Sequence, residues 1–359
     1  MSDADDQPAS ADRRGFWRLS WPTWAQRRRM LRREAWVFVI ASYIVVGFAY
    51  LWPAGFRNES LAYVAVAWAA FMLRTFMYHF GLVLVLVAIV AGWTRNVRLL
   101  LATLPLALFT VGPTWWQYLP QTSPEISGRA VTVMSVNLLM VNERTGPLVE
   151  EIRSVDADIL LLQEYTDHWH EALQRGVGGA YPHIVYVPRD DSFGAAIYSK
   201  WPFVGQVNRY IPLGSGTEPQ MRAVVQTPER RIAVYNVHLL PPWGMEYVIE
   251  TRTQFADLID VLGDERLPLV LGGDFNFTEN SLQATSLRRA GLTDAYGQGG
   301  WGRGPTWPVH GFFRWAPGVR LDHIYLGRGL ACVECRTGIG AGSDHRPVIA
   351  RVGFRVEGD

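Results

Sequence analysis

The sequence GSDHRPV, Gly342–Val348, places an acidic residue and a histidine side by side at the start of an apolar run that continues as IARVGF. Apolar and β-branched residues bounded by glycine and proline are typical of a β-strand. Asp344 and His345 are therefore predicted to lie where a strand begins. Because successive side chains of an extended chain point to opposite sides, we expect the two residues to act on different groups.

Polar side chains also stand at the ends of other predicted strands. The segments SVNLL, LLLQE, VYNVHLL, LVLGGDFN and RLDHIYLG are short apolar runs that open or close on Asn, Asp, Glu or His. One such residue would be an ordinary turn residue or helix cap. Six groups in one region indicate that a rigid sheet directs them into one cleft. The candidates are Asn137, Glu164, His238, Asp274, Asn276, Asp322, Asp344 and His345.

These residue types suit the hydrolysis of a phosphate ester. Phosphoryl oxygens are negatively charged and must be neutralised before a nucleophile can approach. Hard cations such as Mg²⁺ supply this charge, and they bind carboxylate and amide oxygens rather than thiolates. A histidine can donate a proton to the phosphate when a carboxylate orients its ring, and an aspartate can position or deprotonate water.

The order of the segments SVNLL, LLLQE, VHL, GGDFN, LDHIYL and GSDHRPV resembles that of the endonuclease/exonuclease/phosphatase superfamily, which includes DNase I-like nucleases and sphingomyelinases. The resemblance covers Arg129–Phe354. In architecture the chain is similar to bacterial membrane-anchored members such as teicoplanin-resistance membrane proteins. The resemblance implies an α/β fold, a four-layer α-β-β-α sandwich of the DNase I-like kind, preceded by an N-terminal transmembrane helical region.

The resemblance also implies the composition of a metal site. Glu164 would be the principal Mg²⁺ ligand, and Asn137 and Asp344 would complete or support the site. Mn²⁺ is the alternative ion.

Catalytic roles follow from the same resemblance. His345 would contact the scissile phosphate and Asp322 would orient its ring. Asp274 would align or activate the attacking water, Asn276 would hold a phosphoryl oxygen, and His238 would be a second phosphate contact.

Three apolar segments precede this region. Ala35–Trp52 has no charged residue over 18 positions, and Phe80–Trp93 and Leu99–Trp116 are similarly apolar. At about 1.5 Å per residue such segments approach the ~30 Å hydrocarbon thickness of a bilayer, so we expect about three membrane helices. A fourth apolar segment, Leu61–Leu73, is too short to span alone. It would lie in the interface or extend the second helix, and if it spans separately the count is four.

The division of the chain follows from these segments. We expect a basic cytoplasmic segment over residues 1–34, a transmembrane region over 35–117, a polar linker over 118–128 and the catalytic domain over 129–359. Five arginines lie within Ala25–Glu34, and positively charged loops stay in the cytoplasm. A multi-pass cell-membrane protein with an extracytoplasmic catalytic domain is therefore expected, whereas a fourth span would reverse that side.

The expected substrate class depends on the charge and the aromatic residues of the region after residue 128. A nuclease should carry a basic stripe, yet Lys200 is the only lysine and no compact run of arginines appears after residue 128. Aromatic residues occur instead in three loops, and tryptophan favours the membrane interface. They are Trp243, Trp301, Trp307, Phe312, Phe313 and Trp315. The expected partners are the lipid bilayer and a phosphorylated, lipid-linked substrate. A membrane-tethered nuclease acting on nucleic acid is the alternative, and a catalytically inactive binding protein is disfavoured because the residue set is intact.

The only cysteines, Cys332 and Cys335, have C-x-x-C spacing. No further cysteine is available to complete a zinc site. If the segment is a regular strand, residues i and i+3 face opposite sides, which argues against a disulfide. Two packed thiols are therefore expected.

Overall fold

The region that the sequence predicts to be the catalytic domain forms two sheets in the part that the structure describes. The computed structural model describes residues 23–52, 55–119, 122–311 and 315–356. The first sheet has the strand order β10 (Leu330–Thr337), β11 (Val348–Arg355), β1 (Ile126–Asn137), β2 (Ile159–Gln163), β4 (Ala195–Ser199), β3 (His183–Val187). The second sheet has the order β5 (Met221–Gln226), β6 (Arg231–His238), β7 (Leu269–Asp274), β9 (Asp322–Leu326), β8 (Thr293–Asp294).

Helices cover the outer face of each sheet. The first sheet packs against α5 (Thr145–Val155) and α6 (Asp167–Gly176). The second sheet packs against α7 (Met245–Asp264) and α8 (Leu282–Arg289), and the short α9 (Ala295–Gly299) lies beside β10. A third apolar cluster fills the space between the sheets. This arrangement confirms the expected four-layer α-β-β-α sandwich.

Burial on both faces explains why the strand sequences are apolar without alternation. All five residues of β2, ILLLQ, are buried, because Ile159 and Leu161 face the other sheet while Leu160 and Leu162 face the helices. The covering helices are amphipathic instead. In α5 the buried residues Leu148, Val149 and Ile152 share one face, as i, i+1 and i+4 positions do.

The described residues of the N-terminal region form four helices: α1 (Trp24–Leu51), α2 (Leu61–Thr75), α3 (Met77–Trp93) and α4 (Val97–Trp116). Two segments, Arg29–Leu51 and Val97–Trp116, are long and apolar enough to cross a membrane. Helices α2 and α3 meet at a bend of 57° and would count as a third span if they cross together. The segment that the sequence left open, Leu61–Leu73, is thus helical but is not a straight extension of the next helix.

Helix α2 and the segment before it pack against the catalytic domain. The indole N–H of Trp68 donates to the carbonyl oxygen of Pro242 at 3.0 Å. The rings of Phe56 and Phe255 lie 4.7 Å apart in an edge-on arrangement. Contacts of this kind fix the helical region close to the catalytic domain.

The prediction that Cys332 and Cys335 face opposite sides is wrong. Between Cys332 and Glu334 the pairing of β10 with β11 shifts register, because a β-bulge inserts one extra residue. The bulge turns both side chains into the core between the sheets, where they are free buried thiols. The expectation of two packed thiols is confirmed.

Candidate active site

Three of the predicted residues lie side by side on the second sheet. His238 at the end of β6 is in register with Asp274 at the end of β7, and Asp274 is in register with Asp322 at the start of β9. All three are at least nine-tenths buried. Neighbouring strands lie about 4.8 Å apart, so the sheet alone brings these side chains together.

The first sheet contributes a matching edge. Asn137 ends β1 in register with Gln163, and Glu164 follows directly. The segment before β11 returns to the same place, because the hydroxyl of Ser343 donates to the carbonyl oxygen of Asn137 at 2.7 Å. His345 then lies next to the end of β1.

Asn137 joins the two edges. Its Nδ2 donates to Oε1 of Glu164 at 3.0 Å and to Oδ2 of Asp274 at 3.1 Å. Its Oδ1 accepts from the backbone N–H of Leu139 at 3.0 Å. The amide therefore holds one carboxylate from each sheet, and in this orientation it positions Glu164 rather than offering an oxygen to a cation.

Left-handed backbone conformations aim two of the polar side chains. Glu164 has φ 54° and Asn276 has φ 52°. Such values are uncommon for residues other than glycine, and they persist where surrounding contacts enforce them, often at functional sites. Here the backbone N–H of Met140 donates to Oε2 of Glu164 at 2.8 Å, and Nδ2 of Asn276 donates to the carbonyl oxygen of Leu239 at 2.8 Å.

The two positions before Asp274 must be glycine, because neighbouring atoms leave no room for a side chain there. A Cβ on Gly273, which has φ 148°, would lie 1.7 Å from the carbonyl oxygen of Val237. A Cβ on Gly272 would lie 2.5 Å from the side chain of Leu161 in the facing sheet. The GGD sequence therefore permits the close approach of strands and sheets that brings Asp274 to Asn137.

A chain of polar contacts runs through His345. Its Nδ1 lies 2.8 Å from Oδ2 of Asp322, and its Nε2 lies 3.7 Å from Oδ2 of Asp274. The Nε2 of His238 lies 3.7 Å from the same oxygen of Asp274. Two imidazoles thus converge on one carboxylate, and a second carboxylate fixes the ring of His345 from behind.

The electrostatics of this group favour a histidine cation. Burial alone would lower the pKa of His345, but the carboxylates of Asp322 and Asp274 outweigh burial and raise that pKa to about 10. Burial would raise the pKa of Asp274, but His345 and His238 outweigh it and lower that pKa. His345 is therefore protonated, and Asp274 is ionised, at neutral pH.

Two sets of atoms could hold a metal ion. Asp274, Asp322 and His345 each place a ligand atom within 4.8 Å of the others, and in this group Nδ1 of His345 already lies 2.8 Å from Oδ2 of Asp322. On the other side of Asn137, Glu164 offers a carboxylate, and Oδ1 of Asp344 is buried without a hydrogen-bond partner among the described residues. Carboxylate oxygens, and above all one without a hydrogen-bond partner, are donors that a hard divalent cation prefers.

Several supporting residues were not predicted from the sequence. The indole N–H of Trp307 donates to Oδ2 of Asp344 at 3.3 Å. The hydroxyl of Thr306 accepts from the backbone N–H of Asp322 at 3.2 Å, and Gln220 accepts from that of His238 at 2.8 Å. These residues lie far from the motifs in sequence, so no local pattern marks them.

Other polar strand residues are structural. Asn236 donates to the carbonyl oxygens of Leu162 and Ala196 at 2.9 and 3.0 Å and so links the two sheets. His323 is fully buried, its Nε2 lies 2.9 Å from the carbonyl oxygen of Phe277, and burial lowers its pKa to about 4.

A comparison with known protein families agrees with the geometry of the site. The profile described as the endonuclease/exonuclease/phosphatase family matches residues 134–345, which is more than half of the chain. The chain belongs to this family. Among proteins with curated functions, none matches the chain. The family and the site support a phosphoesterase or nuclease activity that hydrolyses phosphate ester bonds.

Solved structures of the same fold are distant in sequence. An endonuclease/exonuclease/phosphatase from Beutenbergia cavernae is 21% identical, with TM-score 0.54 over 64% of this chain and 72% of that chain. The 3'-5' exonuclease NExo from Neisseria meningitidis is 20% identical, with TM-score 0.52 over 62% of this chain and 100% of that chain. A Neisseria 3' phosphatase NExo bound to product DNA hairpin is 23% identical, with TM-score 0.51 over 63% of this chain and 100% of that chain. At these identities the likeness shows the fold alone.

Proposed function

We propose that the chain is a membrane-anchored, Mg²⁺-dependent phosphoesterase that hydrolyses a phosphate ester or pyrophosphate carried by a membrane lipid. The observation that carries the chemistry is the convergence of His345 and His238 on Asp274, with Asp322 behind His345. Two imidazoles beside an ionised carboxylate can bind a phosphoryl group and orient a water molecule at the same point.

Each side chain has a separate task in this mechanism. His345, kept protonated by Asp322, donates through Nε2 to a phosphoryl oxygen and stabilises the charge that develops there. His238 contacts the same phosphate, and Asn276 holds a further phosphoryl oxygen. Asp274 orients the attacking water through its carboxylate.

The proposed metal ligands are Glu164 and Asp344, with Asn137 as the residue that positions Glu164. When bound, Mg²⁺ or Mn²⁺ neutralises negative charge on the phosphoryl oxygens. Asn137 and Met140 hold the carboxylate of Glu164, and Trp307 holds that of Asp344.

The contacts of the helices support an extracytoplasmic catalytic domain. The catalytic domain meets the end of α4, where the backbone N–H of Gly302 donates to the carbonyl oxygen of Gln117 at 2.9 Å, and the start of α3, where Nε2 of His79 contacts the carbonyl oxygen of Pro317. At the opposite end, Arg32 of α1 lines one cavity together with Asn96 of the α3–α4 turn. The arginine-rich end therefore lies away from the catalytic domain, as the positive-inside rule requires for three crossings.

The exposed aromatic residues favour a lipid-linked substrate. Trp243, Trp301 and Trp315 are 65%, 70% and 80% exposed. Tryptophans at such positions suit the headgroup layer of a bilayer. Trp307, by contrast, is used by the site, and Phe312 and Phe313 lie outside the described residues.

The substrate class is tested by comparing the turnover of phosphorylated lipids with the cleavage of DNA. Full-length protein in mixed micelles is given polyprenyl phosphate, polyprenyl pyrophosphate, phospholipids, and plasmid and oligonucleotide DNA, at one Mg²⁺ and salt concentration. The proposal predicts turnover of at least one lipid and little cleavage of DNA. Efficient cleavage of DNA without turnover of any lipid would replace the lipid assignment by a membrane-tethered nuclease.

The side of the membrane is tested separately. Alkaline phosphatase fused to the C-terminus in a bacterial host should be active, because that enzyme matures outside the cytoplasm. An inactive fusion, together with fluorescence from a matched green fluorescent protein fusion, would contradict the orientation and favour an even number of spans.

A further inference from the structure

The loop between α9 and β9, called here the α9–β9 loop, holds the backbone on both sides of His345. The backbone N–H of Val309 donates to the carbonyl oxygen of Asp344 at 2.9 Å. The backbone N–H of Arg346 donates to the carbonyl oxygen of Thr306 at 2.9 Å. The peptide that carries the proposed metal ligand and the proposed phosphate contact is therefore bracketed by one loop.

The same loop also contacts two carboxylate residues of the site. The indole N–H of Trp307 donates to Oδ2 of Asp344 at 3.3 Å. The hydroxyl oxygen of Thr306 accepts from the backbone N–H of Asp322, the residue behind His345, at 3.2 Å. A displacement of this loop would therefore move or release groups on both sides of the site.

Trp307 is fixed from the far limb of the loop. Its backbone N–H donates to the carbonyl oxygen of Val319 at 2.9 Å, and the backbone N–H of Val319 donates to the carbonyl oxygen of Trp307 at 2.7 Å. Gly318, the residue before Val319, accepts from Nη2 of Arg303 at 2.7 Å. The position of Trp307 is thus tied to Arg303 by contacts within the loop.

Arg303 in turn lies on the start of α3. Its guanidinium carbon is 3.8 Å from the centre of the Tyr78 ring, well within the distance at which a cation is attracted to an aromatic face. Nε2 of the neighbouring His79 contacts the carbonyl oxygen of Pro317 in the far limb. A continuous series of contacts therefore leads from α3 to the proposed metal ligand: Tyr78, Arg303, Gly318, Val319, Trp307 and Asp344.

The end of α4 fixes the beginning of the same loop. The backbone N–H of Gly302 donates to the carbonyl oxygen of Gln117 at 2.9 Å. The rings of Tyr118 and Trp301 lie 5.1 Å apart in an edge-on arrangement. Two helices of the N-terminal region thus hold the loop, one at each limb.

Docking of the catalytic domain on the helices does not by itself require these contacts. The Phe56 ring packs on Phe255, and Trp68 donates to Pro242, on a different side of the domain. The contacts of α3 and α4 fall instead on the one loop that brackets His345. Groups that orient a metal ligand from outside affect metal affinity nearly as strongly as the ligand does.

We propose that Tyr78 and Arg303 are positioning residues of the active site, which act on Asp344 through the α9–β9 loop. The start of α3 then completes the metal site as well as anchoring the protein. The inference rests on the proposed metal-dependent function and extends its site into the N-terminal helices. A purely structural role for the same contacts would affect unfolding but not metal affinity in the folded protein.

The test measures Mn²⁺ binding by calorimetry on full-length protein in detergent, together with thermal unfolding. Trp307→Phe removes the N–H that Asp344 accepts and should weaken Mn²⁺ binding at least about tenfold. Arg303→Met acts one step further away and should weaken binding by about three- to tenfold. Arg230→Met is the matched control, because the Arg230 guanidinium also lies over a ring, 5.4 Å from the centre of Phe354, at the other end of the sheets. This control should bind Mn²⁺ as wild type does.

The double variant Arg303→Met with Trp307→Phe decides whether the two residues act through one path. The two losses should not multiply, because both reach Asp344 through the same indole. Full multiplication would overturn the inference. Unchanged binding in Trp307→Phe or in folded Arg303→Met, or an equal loss in Arg230→Met, would also overturn it.

A second pair of variants covers the case in which Arg303→Met does not fold. Tyr78→Leu removes the ring under Arg303 and should weaken Mn²⁺ binding by about three- to tenfold, whereas Tyr78→Phe restores the ring and should recover it. Equal binding by these two variants would overturn the inference while leaving the proposed metal site intact. Wild-type protein that binds no Mn²⁺ would instead overturn the proposed metal site, and this inference with it.

Discussion

Replacing Asp322 with asparagine keeps the shape of the side chain and removes its charge from behind His345. Oδ2 of Asp322 lies 2.8 Å from Nδ1 of His345, and the two residues are 1% and 6% exposed. A hydrogen bond to a charged group contributes about 1.5–3 kcal/mol. If that energy stabilises the imidazolium in the transition state, kcat/KM should fall by roughly 10- to 150-fold, since about 1.36 kcal/mol corresponds to a factor of ten.

The assay is hydrolysis of p-nitrophenyl methyl phosphate by full-length protein in detergent with Mg²⁺. Asp156→Asn is the matched control, because Asp156 lies outside the site and its side chain is 72% exposed. Its Oδ1 pairs with Nζ of Lys200 at 2.7 Å. Thermal unfolding of each variant shows whether the fold is retained. The reasoning would be refuted by a folded Asp322→Asn protein with wild-type kcat/KM, or by an equal loss in Asp156→Asn.

Four other perturbations have defined outcomes. EDTA should abolish activity, and Mg²⁺ or Mn²⁺ should restore it. Glu164→Gln should weaken Mn²⁺ binding, measured by calorimetry, at least about tenfold. Unchanged Mn²⁺ binding would exclude Glu164 as a ligand. Arg320→Met should lower the free energy of unfolding by about 3–5 kcal/mol, because it leaves Asp294, bonded at 2.7 and 2.8 Å, buried without its cation; a loss below about 1 kcal/mol in denaturant titration would contradict this. Burial opposes ionisation of Glu265, but the N–H of Leu267 and Arg222 outweigh it and lower its pKa. Its contribution to stability is therefore present above about pH 4.3 and lost as pH falls through the lower folded pKa, so the stability difference between wild type and Glu265→Gln should shrink in acid; a pH-independent difference would contradict it.

The sequence located the strands of the site because their chemistry is local. β2 and β7 are short buried runs; Glu164 follows β2 directly and Asp274 ends β7, so both the run and its polar end can be seen in a few residues. The family resemblance supplied the order of the segments and hence the sandwich. What these residues do remains a prediction, although the structure brings all eight candidates to one edge of the two sheets.

The remaining features depend on contacts between distant segments. The β-bulge that turns Cys332 and Cys335 to one side arises from pairing with β11, and strand periodicity alone cannot reveal it. The sequence groups Trp307 with the aromatic residues expected at the membrane interface. Its hydrogen bond to Asp344 joins residues 37 positions apart, so no local pattern reveals it. The packing of α2 on α7 was equally hidden, since an apolar helix face gives no indication of its partner.

The account depends most on metal-dependent hydrolysis at His345 and its neighbours. Phosphorus NMR of full-length protein with a polyprenyl pyrophosphate in mixed micelles follows substrate and product directly. With Mg²⁺, the substrate resonances should disappear and product resonances grow for the wild-type protein. In His345→Ala, and in wild type with EDTA, they should persist over the same time. Equal conversion by wild type and His345→Ala would contradict the account, as would wild-type protein that converts neither this lipid nor any other phosphate ester.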